Sequence, residues 1–138
     1  MRVVVTGMGA ITPIGNSVQD FWEGIKEGKC GIDTITKFDT TDFKVKLAAE
    51  VKGFNPEEYF DKKVLRRLDT FSQYAMVAAR EAMKDSGITE ENTDMTRAGT
   101  MISSGIGGLD TIEKDNRNIV EKGPDRVSPM YIPMGIPN

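Results

Sequence analysis

The apolar positions open with an unbroken β-branched run, Val3-Val4-Val5-Thr6. It lacks in-and-out alternation, so it predicts a strand covered on both faces, as in a parallel sheet. Gly7 and Gly9 end the run, and Pro13 and Gly15 punctuate the loop that follows. Val18, Phe21, Trp22 and Ile25 fall at i, i+3, i+4 and i+7, the single stripe of an amphipathic helix. Ser17 is placed to cap that helix, Asp20 completes a capping-box pattern, and Gly28 is placed to end it. The period then changes to two. Phe43, Val45, Leu47, Ala49 and Val51 alternate with Lys44, Lys46, Ala48 and Glu50, predicting a strand with one solvated face. Asn55-Pro56-Glu57-Glu58 reads as a cap, a proline at the first helical position and acids in the first turn.

Residues 61–68 predict a short amphipathic turn. Lys62, Lys63, Arg66 and Arg67 share one side, and Val64, Leu65 and Leu68 take the other. The longest helix is expected from Asp69 to Ser86, stopped by Gly87, with Phe71, Tyr74, Ala75, Ala78 and Ala82 buried and Ala79 widening the stripe. Thr100-Met101-Ile102-Ser103 reads as a second strand and Ser104-Gly105-Ile106-Gly107-Gly108 as a glycine turn. A helix with Leu109, Ile112, Ile119 and Val120 on its apolar side follows and stops at Gly123-Pro124. The stretch Ile102–Leu109 weakly echoes Val4–Ile11. Beyond it, Pro124, Pro129, Pro133 and Pro137 forbid an ordinary helix or central strand. Met130, Tyr131, Ile132, Met134 and Ile136 lie between them, apolar surface expected to be buried in a larger protein or against a second subunit. The fold class is therefore α/β, from two strand–glycine loop–helix units.

Composition narrows the function. At 138 residues, 38% hydrophobic and 28% charged, the chain suits one soluble globular piece. A net charge of −3 argues against a general nucleic-acid binder and leaves basic function to a local patch. The longest apolar run, Tyr74–Ala79, is far short of the roughly 20 residues of a membrane span. No signal peptide is visible, and the single cysteine, Cys30, cannot form an internal disulfide, so a cytoplasmic location is expected. Histidine is absent, which removes the commonest general base and most zinc sites, so no metal and no cofactor are expected.

Candidate motifs are few. Gly7-x-Gly9 invites a dinucleotide reading, but Thr12 stands where the third glycine belongs and Pro13 follows before any helix. Gly105-x-Gly107-Gly108 also fails at the third position, and Gly28-Lys29-Cys30 lacks the spacing of a P-loop. Lys29 beside Cys30 offers a cation, but there is no histidine to act as base, so Cys30 reads as structural. The basic turn remains open between a solvated surface and a docking patch for an acidic partner. No catalytic residue emerges.

The stretch Val3–Gly15, followed by Phe21-Trp22, closely resembles the opening of bacterial β-ketoacyl-acyl-carrier-protein synthases. Lys63-x-x-Arg66-Arg67-Leu68-Asp69-x-Phe71, Ser104–Leu109 and Ser128-Pro129-Met130-Tyr131-Ile132-Pro133 resemble the synthase II branch of that family. The resemblance implies an N-terminal piece of a thiolase-like fold, five layers (αβαβα) built from two duplicated α/β halves, usually in a homodimer. It implies decarboxylative Claisen condensation of malonyl-acyl carrier protein with an acyl thioester held on a cysteine, supported by two histidines. That machinery lies beyond Asn138 in family members, so residues 1–138 are expected to form the first part of the synthase N-terminal domain, ending before the catalytic cysteine. The chain itself is expected to be inactive, and Cys30 does not match the nucleophile's motif. By the same resemblance, Lys63, Arg66 and Arg67 match the docking site for acyl carrier protein, in its acyl and malonyl forms. Ile106 matches the floor of the acyl pocket near the dimer interface, and Tyr131 and Ile132 match pocket-lining positions, where the family often has Phe in place of Tyr131. No nucleic-acid or membrane partner is implied. Two alternatives stand beside this: a non-catalytic carrier-binding or dimerising module, and a nucleotide-binding α/β domain.

Overall fold

A computed structural model describes residues 2–136. It divides into two units. One joins the residues up to Phe54 with Val77–Ile88, and the other joins Asn55–Met76 with the residues from Thr89 onward.

In the first unit, helix α1 (Val18–Lys26) begins where the polar signals place it. Ser17 is extended, and its hydroxyl accepts the Asp20 amide N–H at 3.1 Å. Gly28 follows in the left-handed region, φ 67°, where a side chain would be strained. Strands β1 (Ile32–Thr34) and β2 (Leu47–Ala49) pair antiparallel, Ile32 with Ala49, Asp33 with Ala48 and Thr34 with Leu47. The Ile35 N–H extends the ladder by one bond to the Lys46 carbonyl at 2.9 Å.

This differs from the sequence expectation in two ways. Val3–Thr6 forms no strand, and Val3, Val4 and Val5 are exposed, Val3 at 89%. A strand exists only through a hydrogen-bonded partner, and no described segment supplies one to these residues. The alternating segment from Phe43 shrinks to three paired residues, of which Leu47 stays exposed, because no described layer covers either face.

The second unit is mostly helical. Asn55 caps a single 3-10 turn at Pro56–Glu58, its side chain accepting the Glu57 N–H at 3.2 Å. Helix α2 (Lys62–Leu65) is one turn long and continues through turn bonds to Leu68. Helix α3 (Thr70–Ser86) starts here, and its residues from Val77 count with the first unit. Gly87 ends it at φ 64°, as the sequence predicts. Helix α4 (Leu109–Lys122) stops at Gly123, φ 86°.

Three further expectations fail in this unit. Thr100–Ser103 is not a strand, and Met101 is 97% exposed, again for want of a paired neighbour. The inward face of α4 carries Thr111 and Asp115, both buried, while Leu109, Ile119 and Val120 are exposed. The proline-rich tail does hold a helix, α5 (Tyr131–Gly135). Pro133 sits in its first turn, where a helix leaves N–H groups unpaired in any case, so the missing donor costs little. Ile132 and Ile136 are exposed there, Tyr131 and Met134 only half-buried; Pro137 lies outside the described residues.

Candidate functional site

The glycine loop of the first unit is shaped by helix packing. A Cβ on Gly7 would overlap the Ala82 carbonyl oxygen, and one on Gly9 the Ala78 carbonyl oxygen. Ala78 and Ala82 are one turn apart on α3, so small residues on both sides let the loop backbone lie against the helix. Two α3 carboxylates hold it there. The Met8 N–H donates to Asp85 Oδ2 at 2.9 Å, and Ala10 and Val18 N–H groups donate to the two oxygens of Glu81, each at 2.9 Å. A phosphate cradle needs free amides and a positive field. Here the Met8, Ala10 and Val18 amides are taken by carboxylates and the local charge is negative, which weighs against the nucleotide-binding alternative.

The Cys30 thiol is exposed and forms no disulfide. Its one described contact is a 3.8 Å approach to the Ile32 carbonyl. Among the described residues, no three His, Cys, Asp or Glu side chains are grouped to hold a metal ion.

Charge and construction converge in the second unit. Asp61 begins α2 and Arg66 ends it, the Arg66 N–H donating to the Lys62 carbonyl and the Arg67 N–H to the Val64 carbonyl. One helical turn therefore presents Lys62, Lys63, Arg66 and Arg67 together, all exposed. Lys62 approaches Glu57 at 3.8 Å, a pair so exposed that it contributes little. No ion pair among the described residues engages Lys63, Arg66 or Arg67.

Asp69, immediately after this turn, is only 5% exposed. Its carbonyl accepts the Gln73 N–H at 3.1 Å and so starts α3. Its carboxylate reaches the first turn of α4, where Oδ2 accepts the Thr111 N–H at 2.9 Å and the Thr111 hydroxyl at 2.6 Å. Helix α4 needs that acceptor, because its own cap residue is Gly108, which has no side chain. Thr70 adds a hydroxyl bond to Asp110 at 3.0 Å. Gly108 also ties in the tail, its N–H donating to the Gly135 carbonyl at 2.9 Å. A Cβ at Gly108 would lie 2.5 Å from the Met134 carbonyl oxygen and 2.7 Å from Asp69 Oδ2. The glycine is what lets three segments meet.

Between the turn, α4 and the tail lies a polar cleft of about 380 Å³, lined among others by Arg66, Asp69, Thr111, Lys114 and Arg126. A larger and more apolar groove of about 620 Å³ lies among Phe71, Met76, Met101, Ile102 and Pro133. The loop carrying Ile106 and the helix carrying Tyr131 and Ile132 are linked through the Gly108–Gly135 bond. Ile106 and Ile132 are exposed, Ile106 at 69%, and Tyr131 is half-buried, so they do not enclose a pocket among the described residues. Asp69, Thr111 and Gly108 escaped the sequence reading. The available signal was a helix beginning at Leu109 with no Ser, Thr, Asp or Asn before it, which demands an acceptor from elsewhere.

The family model described as β-ketoacyl synthase, N-terminal domain, matches residues 1–138. A 3-oxoacyl-[acyl-carrier-protein] synthase 2 from Staphylococcus aureus is 51% identical over 138 residues, all of this chain and 33% of the relative. One from Vibrio cholerae is 45% identical over 137 residues, again 33% of the relative. The chain thus spans about a third of the length of the curated relatives it matches. Among solved structures, the ishigamide ketosynthase/chain length factor superposes with a TM-score of 0.78 at 29% identity, over 96% of this chain and 33% of that one. A type II polyketide synthase acyl carrier protein in complex with its ketosynthase gives 0.77 at 26% identity, over 99% of this chain and 35% of that one. A β-ketoacyl synthase from Burkholderia phymatum gives 0.73 at 27% identity. Sequence family and fold agree: the chain belongs to the β-ketoacyl synthases, matches the model of their N-terminal domain, and its mixed helix and sheet fit an α/β, thiolase-like fold.

Proposed function

We propose that this chain is the carrier-docking and scaffold portion of a 3-oxoacyl-[acyl-carrier-protein] synthase II. The observation that carries the reading is the exposed cationic turn, with Lys63, Arg66 and Arg67 side by side and none in an ion pair among the described residues. Acidic acyl carrier protein is the partner that fits such a surface, because complementary charge steers encounter and fixes register. One solved neighbour is itself a ketosynthase bound to an acyl carrier protein.

The whole protein's activity is then decarboxylative condensation of malonyl-acyl carrier protein with an acyl-enzyme thioester, in fatty-acid elongation. The Cys-His-His set for that chemistry is not within residues 1–138, which contain no histidine. Ile106, Tyr131 and Ile132 belong to the acyl pocket and dimer interface of the completed homodimer, where a second subunit and further polypeptide cover them. A cytoplasmic setting suits a soluble carrier. No helix among the described residues is long and apolar enough to cross a membrane.

Reversing charge at Arg66 and Arg67 to Glu tests docking. Affinity for acyl carrier protein should fall about tenfold or more at low salt, and its salt dependence should flatten. Unchanged affinity returns the turn to ordinary surface. A second reading is a non-catalytic carrier-binding or dimerising module. A downstream coding sequence with a cysteine at a strand-to-helix turn and two later histidines decides for the enzyme, and a stop codon decides for the module.

A further inference from the structure

We infer that Asp69 is the positioning residue of the docking surface, holding the basic turn in register with the start of α4 through Thr111. The inference rests on the docking reading above and names the group that makes the surface rigid. A single helical turn of four residues has almost no stability of its own. Helix α2 is such a turn, with no side-chain hydrogen bond at its cap and none of its residues buried. Three residues beyond Arg66, however, the chain is fixed. Asp69 is buried, its carbonyl opens α3 and its carboxylate takes both donors of Thr111.

The geometry around this link is specific. Gly108 has room for the carboxylate only because it lacks a Cβ. Arg66 and Lys114 flank Asp69 and Thr111 in the same cleft, so the angle between the turn and α4 sets the spacing of cations on two separate elements. Losing the link frees the turn to sample other orientations, and only a fraction of them present the cations together. Apparent affinity falls by that fraction.

Charge and position predict opposite results here, which makes the test sharp. Asp69→Asn removes a negative charge beside a cationic surface. By electrostatics alone, binding of an acidic partner should tighten. Positioning predicts weaker binding instead, because a neutral amide is a poorer acceptor for two donors.

The test titrates acyl carrier protein against the 138-residue chain and its variants, well below the unfolding midpoint of each. Asp69→Asn and Thr111→Val should each weaken binding about fivefold. Their double variant should be no worse than the poorer single one, and Thr111→Ser, which keeps the hydroxyl, should bind like the parent. The salt dependence should stay that of the parent, since the cations remain. Amide exchange at Arg66–Leu68 and at Thr111–Ile112 should rise together in both weakened variants. Tighter or unchanged binding in Asp69→Asn, or exchange rising at α4 alone, overturns the inference while leaving docking intact. Unchanged binding in the Arg66→Glu, Arg67→Glu variant overturns docking, and this inference with it.

Discussion

Single residues decide the close approaches in this chain. Gly9 meets the α3 backbone at Ala78, and Gly108 meets Asp69 and the Met134 carbonyl. Gly9→Ala and Gly108→Ala should each destabilise by about 1–3 kcal/mol, the usual cost of forcing extra atoms into a filled space, read as a shift in the urea midpoint. Neither position has a positive φ, so sterics alone account for the loss, and an unchanged midpoint would contradict the packing described. Asp69→Ala should cost about 1–3 kcal/mol for leaving two buried donors without an acceptor. Glu50 makes a pH-dependent case. The Thr36 hydroxyl, foremost, holds its carboxyl below the ordinary glutamate value; desolvation opposes it, and the Thr36 and Lys37 N–H groups and the Lys37 charge each add smaller help. A depressed pKa places this stabilisation above the unfolded-state value, so it is complete at neutral pH and is lost as pH falls through the folded value. The Thr36 amide resonance should therefore titrate below the ordinary glutamate midpoint, and a midpoint above it would contradict the bond.

At the scale of elements, helices α1, α3 and α4 were legible in the sequence, while of the expected strands only part of the Phe43–Val51 alternation forms one, as β2. Ser17 with Gly28, Asn55 with Pro56, and the stops at Gly87 and Gly123 act within a few residues of where they stand. Local chemistry suffices to place α1, α3 and α4. A strand needs a partner distant in sequence. Val3–Thr6 and Thr100–Ser103 have the composition of buried strands, yet each lacks a described neighbour. The candidate site divides in the same way. Its cations are a local pattern, readable as Lys63-x-x-Arg66-Arg67, while the Asp69–Thr111 link joins positions 42 residues apart. The inward face of α4 departs from the apolar stripe for a related reason, since its buried positions are polar and Thr111 depends on that distant carboxylate. Thr111→Val should accordingly destabilise although it adds apolar character to a buried site, by about 1 kcal/mol, and a gain in stability would show that burial outweighs the bond.

On the scale of the whole molecule, few apolar side chains among the described residues are buried, and even Phe60 and Val77 keep 7% and 6% of their surface exposed. Val3, Val4, Val5, Met101, Ile102 and Ile106 are left in water. Apolar surface of this extent marks sites that other polypeptide covers. The chain's span of a third of its relatives accords with that. The isolated 138 residues should therefore bind a hydrophobic dye and self-associate with rising concentration in sedimentation velocity. A chain that stays monomeric at high concentration and binds no dye would contradict this.

The most direct measurement is a titration of isotope-labelled chain with acyl carrier protein, followed by amide resonances at two salt concentrations. Shifts should concentrate at Lys62–Asp69 and the start of α4, and they should shrink at the higher salt. Shifts centred elsewhere, or none at carrier concentrations where related synthases bind, would contradict the assignment of this surface.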